Sequence, residues 1–295
     1  EQPMGFYPPA SLIRDAERRG IAVLPVDIAA SHVPARCTGP RAVRLGLAQV
    51  VGLGEEEAQA IVREREAGGP FADVRALASR LDLPTASLQR LVAAGACDGL
   101  GPRRRLLWEL GLATRPSPSG QLAFDLHLGD APAGLPEPNA WELLVADYAS
   151  TGVSVRAHPI AQLRPLLGDL ADSTALARLA HGAPVAIPGL AVARQRPASA
   201  NGVVFLLLED EYGLFNLVLM PDVYERHRLL ARSEPLLLAR GALERRQGVI
   251  SIRVEALEPL ELPDRRVLRT EQDPQSLRVV APPAQHFAHG RRRGA

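Results

Sequence analysis

What most narrows the folds open to this chain is a change of hydrophobic period at Pro184. Before it, apolar residues recur three and four apart, as on one face of a helix; after it they alternate, as on half-buried strands. The alternation falls into five segments: Val185 to Arg194, Gly202 to Glu209, Leu214 to Met220, Leu236 to Arg245 and Val249 to Ala256. Pro221 opens a helical stretch reaching Leu230, at a position where its missing N–H costs nothing. Gln247-Gly248 supplies a tight turn between the last two strands. Five strands with a helix between the third and fourth is the order of the OB fold, a small Greek-key barrel. The expected fold class is α+β and multidomain: a helical domain followed by a five-stranded OB-fold β-barrel.

Upstream, Ser11 is placed to cap a helix running through Arg19, Gly20 ends it, and Val23 to Ile28 reads as extended. From Val43 to Leu112 the pattern is helical with brief Gly, Pro and Asp breaks. Residues 113–139 carry Pro116, Pro118, Gly120, Gly129, Pro132, Gly134, Pro136 and Pro138, the composition of a linker. Trp141 to Ser150 and Ser173 to Leu179 read as helices within a connector over 140–183, ahead of the barrel at 184–260. The tail, 261–295, is polar and Pro-spotted, ends in Arg291-Arg292-Arg293, and is expected to be disordered. A length of 295 residues fits two or three compact units.

All 34 basic side chains are arginine. The absence of lysine excludes P-loop phosphate chemistry and lysine Schiff bases. A net charge of +1 sets up no strong overall field. Cys37 and Cys97 share no metal-ligand spacing and are too few for a disulfide framework. His32, His127, His158, His181, His227, His286 and His289 are scattered, with no pair at zinc spacing. Glu209-Asp210-Glu211 invites a metal-dependent hydrolase reading, but neighbours on a strand point to opposite faces and do not readily share an ion. No catalytic residue, metal ligand or cofactor is assigned to this chain. No apolar run nears the ~18 residues a membrane span needs, and the start lacks a signal peptide's features. A soluble, cytoplasmic protein without membrane contact is expected, and because Glu1 already stands in ordered-looking sequence, a fragment.

Val51-Gly52-Leu53-Gly54 stands between an apolar run and a helix from Glu55 to Arg65, the pattern of a helix–hairpin–helix. The glycines let the backbone approach a phosphate, and the next helix offers N–H groups and a positive dipole end. Glu55, Glu56 and Glu57 favour that dipole but repel a phosphate. A second copy follows about fifty residues on: a helix from Thr85, Gly99-Leu100-Gly101, then Pro102 opening a helix with Arg103, Arg104 and Arg105 in its first turn. Cations there oppose the dipole, each costing up to about 1 kcal/mol, and make sense beside an anion. The alternative is a solvated arginine cluster. Paired hairpins hold a duplex by sugar and phosphate without reading sequence.

On the barrel, Arg194 and Arg196 end the first strand, Pro197 to Gly202 forms a loop, and Arg240, Arg245, Arg246 and Arg253 lie on or near the last two strands. Phe205, Tyr212 and Phe215 offer stacking surfaces, so the barrel has the ingredients for single-strand binding, a structural or protein-docking barrel being the alternative. In the linker, Gln121-Leu122-Ala123-Phe124-Asp125-Leu126 suits an extended peptide seating apolar anchors in a pocket, though any linker can carry such a string.

Gln2-Pro3-Met4-Gly5-Phe6-Tyr7, with Asp15-Ala16-Glu17-Arg18-Arg19-Gly20, resembles the late fingers region of bacterial C-family DNA polymerases, relatives of the replicative polymerase III alpha subunit. Val43 to Val62 with Gly52 and Gly54, and Gly95-Ala96-Cys97-Asp98 with Leu100-Gly101, resemble that family's tandem helix–hairpin–helix. Gln195-Arg196-Pro197-Ala198, Phe205 to Asp210 and Gly213 are most similar to the error-prone branch, which acts in DNA damage tolerance and repair. The resemblance runs collinearly from Glu1 to about Leu260. It implies that residues 1–42 end the fingers, that 43–112 hold duplex product and primer–template without sequence preference, and that the OB domain lies near single-stranded template. It also implies that the palm carboxylates and their Mg2+ lie outside this stretch, so these residues alone do not polymerise. Gln121, Leu122, Phe124 and Leu126 sit where the replicative member binds the sliding clamp. The alternative is an interaction module that docks clamp or accessory proteins with no essential DNA contact.

Overall fold

The computed structural model describes residues 9–113, 136–246, 248–262, 281 and 285–287. Residues 1–8, the Gln121–Leu126 peptide and Arg291–Arg293 lie outside the described residues. The chain divides into two compact units, Arg19–Val155 and Glu1–Arg18 with Arg156–Ala295.

The hairpin unit, Arg19–Val155, opens on a small sheet of β1 (Ala22–Leu24), β2 (Arg36–Gly39) and β3 (Ala42–Arg44) in the order β1-β3-β2. β1 runs parallel to β3 and β2 antiparallel, with a register shift between Cys37 and Gly39. Strands of three or four residues are too short to print an alternating pattern, so the sequence showed only one extended stretch here and counted Val43 as helical. A 3-10 turn at Leu47–Gln49 stands where a first helix was expected. There follow α2 (Glu55–Gly68), α3 (Val74–Arg80), α4 (Thr85–Ala93), a 3-10 turn at Asp98–Leu100 and α5 (Arg103–Ala113). Asp73 caps α3, its carboxylate accepting the Ala76 N–H at 2.7 Å.

α6 (Ala140–Thr151) belongs to this unit, whereas the composition placed it in a connector. The Val51 N–H donates to the Ser150 carbonyl at 2.7 Å, and Gln49 Nε2 to the Thr151 carbonyl at 2.7 Å. Asn139 and Glu142 cap α6 reciprocally at 2.9 Å each. Leu47, Ile61, Leu77, Leu88, Leu91, Leu106, Leu110 and Leu144 are fully buried and form the core these elements share. Cys97 is buried with them, and that burial pushes its thiol up to about 12.

The barrel unit begins with α1 (Pro9–Arg18), inside which Ser11 lies rather than capping it. α7 (Pro159–Leu163) has His158 as its cap. Only a 3-10 turn, Ala175–Ala177, forms where a helix over Ser173 to Leu179 was expected. β4 (Pro184–Gln195), β5 (Val204–Glu209), β6 (Leu214–Leu219), α8 (Pro221–Arg226), α9 (Arg228–Ser233), β7 (Leu236–Arg246) and β8 (Val249–Pro259) follow the expected order. The single helix expected from Pro221 is broken at His227.

β4 pairs with β5, β5 with β6, β6 with β8, β8 with β7 and β7 with β4, so the ring closes; only the β6–β8 pair within it is parallel. Ile187, Leu206, Leu208, Leu217, Leu219, Leu243 and Ile252 fill its interior. β9 (Gln285–Phe287) runs parallel to β4 along Ala193–Gln195, so part of the tail expected to be disordered forms strand.

The acidic run at the end of β5 fastens the preceding segment to the barrel. Asp210 accepts the Ser173 N–H at 2.6 Å, the Ser173 hydroxyl at 2.7 Å, and the Tyr212 and Gly213 N–H groups at 2.9 Å. Arg164 forks onto Glu211 at 2.7 and 3.0 Å, and His158 Nε2 stands 3.4 Å from Glu209. These carboxylates are structural anchors. Among the described residues no helix is long and apolar enough to cross a membrane.

Candidate nucleic-acid interface

At the first hairpin, Gly52 has φ +77°, a conformation glycine adopts without strain. Arg90 of α4 braces it, Nη1 donating to the Gly52 carbonyl at 3.0 Å. The Gly54 N–H, the donor a phosphate would seek at this helix start, donates instead to Glu57 Oε2 at 2.7 Å. The Ser87 hydroxyl donates to Glu57 Oε1 at 2.7 Å. These bonds, the Gly54 one foremost, hold the Glu57 carboxyl below the usual carboxylate range. With Glu55 and Glu56 exposed beside it, the first hairpin is capped by its own acid.

The second hairpin is built differently. Gly95 ends α4 with φ +76°, and a Cβ there would overlap the Arg103 guanidinium and come within 2.9 Å of Asp98 Oδ2. Arg103 is 6% exposed. Its Nε donates to Asp98 at 2.9 Å, Nη1 to the Ala93 carbonyl at 3.0 Å, and Nη2 to Asp147 of α6 at 3.0 Å. Burial works against its charge, but Asp98 and Asp147 more than offset that, and its pKa is raised. Arg104 donates to the Pro136 carbonyl at 2.7 Å and to Glu142 at 3.1 Å; Arg105 pairs with Glu109 at 2.7 Å and stays 55% exposed.

Three cations at this helix start do stand beside anions, but the anions are the protein's own carboxylates. Arg103 and Arg104 are therefore latches joining α5 to α6, and of the three only Arg105 is more than half exposed. Ahead of the latches, Gly99 is exposed on the 3-10 turn, and a Cβ added there would meet nothing within 4 Å; Gly101 leads from the turn to Pro102.

On the barrel, Arg194 is 7% exposed and donates to the Ala231 and Glu234 carbonyls at 2.8 and 2.6 Å, tying down the end of α9. Burial lowers its pKa. Arg245 donates to the Leu176, Ala177 and Leu179 carbonyls, and Phe215 is buried in the core. All three expectations of a binding role meet side chains that hold the fold. Arg196 stays half exposed, stacked on the Tyr224 ring at 4.9 Å. Phe205, Val218 and Arg253 form one rung across β5, β6 and β8, with Phe205 and Arg253 exposed. Arg246 is 77% exposed, Arg240 pairs with Glu258 at 3.1 Å, and Tyr212 is exposed.

Sequence reasoning missed Arg90 and Asp147. Gly95 it placed in the second hairpin, as a glycine just past a helix end. Asp147 carried no signal, because its partner lies 44 residues away in the chain.

Residues 20–107 match the helix-hairpin-helix motif family. The error-prone DNA polymerase of Anaeromyxobacter dehalogenans strain 2CP-C is 44% identical over 275 residues, 88% of this chain and 24% of that protein. Those of Corynebacterium efficiens and Mycobacterium bovis are each 41% identical, again over 88% of this chain and 24% of theirs. The chain thus spans about a quarter of the length of the curated relatives it matches. Among solved structures, asparaginyl-tRNA synthetase from Pyrococcus horikoshii, complexed with asparaginyl-adenylate, aligns at a TM-score of 0.28 with 18% identity, over 39% of this chain and 29% of that one, too low to bear on fold or function. By sequence, the chain is similar to the C-terminal part of error-prone DNA polymerases.

Proposed function

We propose that the chain is the DNA-holding, non-catalytic part of an error-prone DNA polymerase that works in synthesis past damage. The second hairpin lays its backbone at Gly99 against the sugar-phosphate of duplex product, and Arg105 adds a charge-assisted contact. The barrel turns Arg196, Phe205, Arg246 and Arg253 toward single-stranded template, combining stacking with charge. Nucleotidyl transfer and its Mg2+ are assigned to residues outside this stretch. The observation that carries the reading is an open, exposed glycine on a rigidly latched hairpin within a matched helix–hairpin–helix.

Arg105→Ala is expected to weaken binding to a labelled primer–template duplex and to make the log–log salt dependence shallower by about 0.9, the value for one phosphate. Fluorescence anisotropy over a salt series reads both quantities. An unchanged slope removes Arg105 from the interface.

A further inference from the structure

One stretch of the hairpin unit carries arginines and no acid of its own. From Ile28 to Gly54 there is no carboxylate, while Arg36, Arg41 and Arg44 all fall on or beside the β2–β3 ribbon. Several arginines elsewhere in the unit answer to acids: Arg80 to Glu64, Arg103 to Asp98 and Asp147, Arg104 to Glu142, Arg105 to Glu109. The Arg36 side chain has no hydrogen bond or ion pair among the described residues, and every residue of β2 is exposed. Arg41, exposed in the turn, donates to the Arg19 carbonyl at 2.8 Å, which fixes the side chain without cancelling its charge.

Arg36 also stands directly across from Arg44 in the antiparallel register. Like charges at such a position repel and destabilise the pair. Arg44 is relieved in part by Asp27 at 3.5 Å, and Arg36 is not.

The ribbon is rooted beside the first hairpin. The Leu47 and Ala48 N–H groups, in the turn that feeds Gly52, donate to the His32 and Val33 carbonyls at 2.9 and 3.0 Å. Arg65 of α2 donates to the Ile28 and Ser31 carbonyls at 2.7 and 2.9 Å. The ribbon's cations are thus carried on a fixed base, continuous with a hairpin whose own start is acidic.

We propose that the β2–β3 ribbon is a phosphate-contacting surface for duplex DNA, with Arg36 and Arg41 forking onto backbone oxygens and Thr38 beside them. This rests on the reading of the chain as a DNA-holding part. It explains how a unit whose first hairpin occupies its own anion site still meets a polyanion there: the positive charge lies one step away, on the exposed edge strand β2 and the turn that follows it. Arginine suits the role, because its planar fork matches two phosphate oxygens.

The test is anisotropy of the full chain on a labelled duplex over a salt series, comparing the parent with Arg36→Ala/Arg41→Ala, Arg36→Lys/Arg41→Lys and Gly99→Asp. The alanine pair is expected to make the salt slope shallower by about 1–2, at about 0.9 per phosphate, and to weaken binding roughly tenfold, with tryptophan emission as in the parent. The lysine pair keeps the slope and loses part of the affinity. If the parent binds and Gly99→Asp weakens it while the alanine pair matches the parent, the ribbon proposal falls and the hairpin reading stands. If the alanine pair weakens binding and Gly99→Asp does not, the ribbon stands and the hairpin contact falls. A parent that does not bind duplex overturns both.

Discussion

Replacing Arg103 with alanine is expected to destabilise the hairpin unit by about 3–5 kcal/mol, the cost of breaking a buried ion pair from one side. The size follows from what stays behind. Asp147 is buried on α6, and without Arg103 it keeps the Ser154 hydroxyl at 2.9 Å but loses the guanidinium at 3.0 Å. Asp98 and the Ala93 carbonyl lose the Arg103 N–H groups at the same moment. α5 and α6 are separated by residues 114–139, so this side chain, with Arg104, ties the two ends of that excursion together. Both tryptophans of the chain, Trp108 on α5 and Trp141 on α6, lie in this unit. Their emission during urea unfolding therefore follows the hairpin unit alone, with no barrel signal mixed in. A midpoint shift worth less than about 1 kcal/mol, the scale of an exposed ion pair, would mean that the latch is a surface pair.

Gly241→Ala is the corresponding test of the barrel, with an expected loss of about 3 kcal/mol, at the upper end for overpacking. A Cβ at this position would overlap the Arg253 carbonyl oxygen, and it would lie 2.9 Å from that carbonyl carbon and 3.0 Å from Val254 Cα. All three are backbone atoms of β8, so no rotamer relieves the clash and the strands must separate. The site coincides with the register shift between Arg240 and Gly241. Hydrogen exchange at the β7 and β8 amides is expected to accelerate, while tryptophan emission stays that of the parent. Exchange rates equal to the parent's would show that β8 yields at little cost.

The barrel was legible in the sequence because its strands are six to twelve residues long and rich in apolar residues, with a helix signal at Pro221 and a turn at Gln247-Gly248. The three-stranded sheet was not, because β1, β2 and β3 are three or four residues each and carry no period. Glycine and arginine spacing found both hairpins. What spacing could not reveal was the partner of each charge. Arg103, Arg194 and Arg245 looked like free cations beside turns, yet each is spent on groups at least five residues away in sequence, Asp98 and Asp147, Ala231 and Glu234, Leu176 and Leu179. Arg36 drew no attention in the sequence, and among the described residues its side chain has no acid partner. Burial and pairing are tertiary facts, and they decide which arginines can meet a phosphate.

DNA is expected to meet the second hairpin at Gly99, and a Gly99→Asp variant puts this to the sharpest test. The position is open and exposed, with no positive φ and no neighbour within 4 Å of a Cβ, so the variant is expected to fold with the parent's tryptophan unfolding curve. An added carboxylate there would occupy the approach and repel a phosphate. On a labelled primer–template duplex, binding is expected to weaken about tenfold, with a shallower salt slope. Superimposable isotherms for the parent and a fully folded Gly99→Asp would contradict the claim.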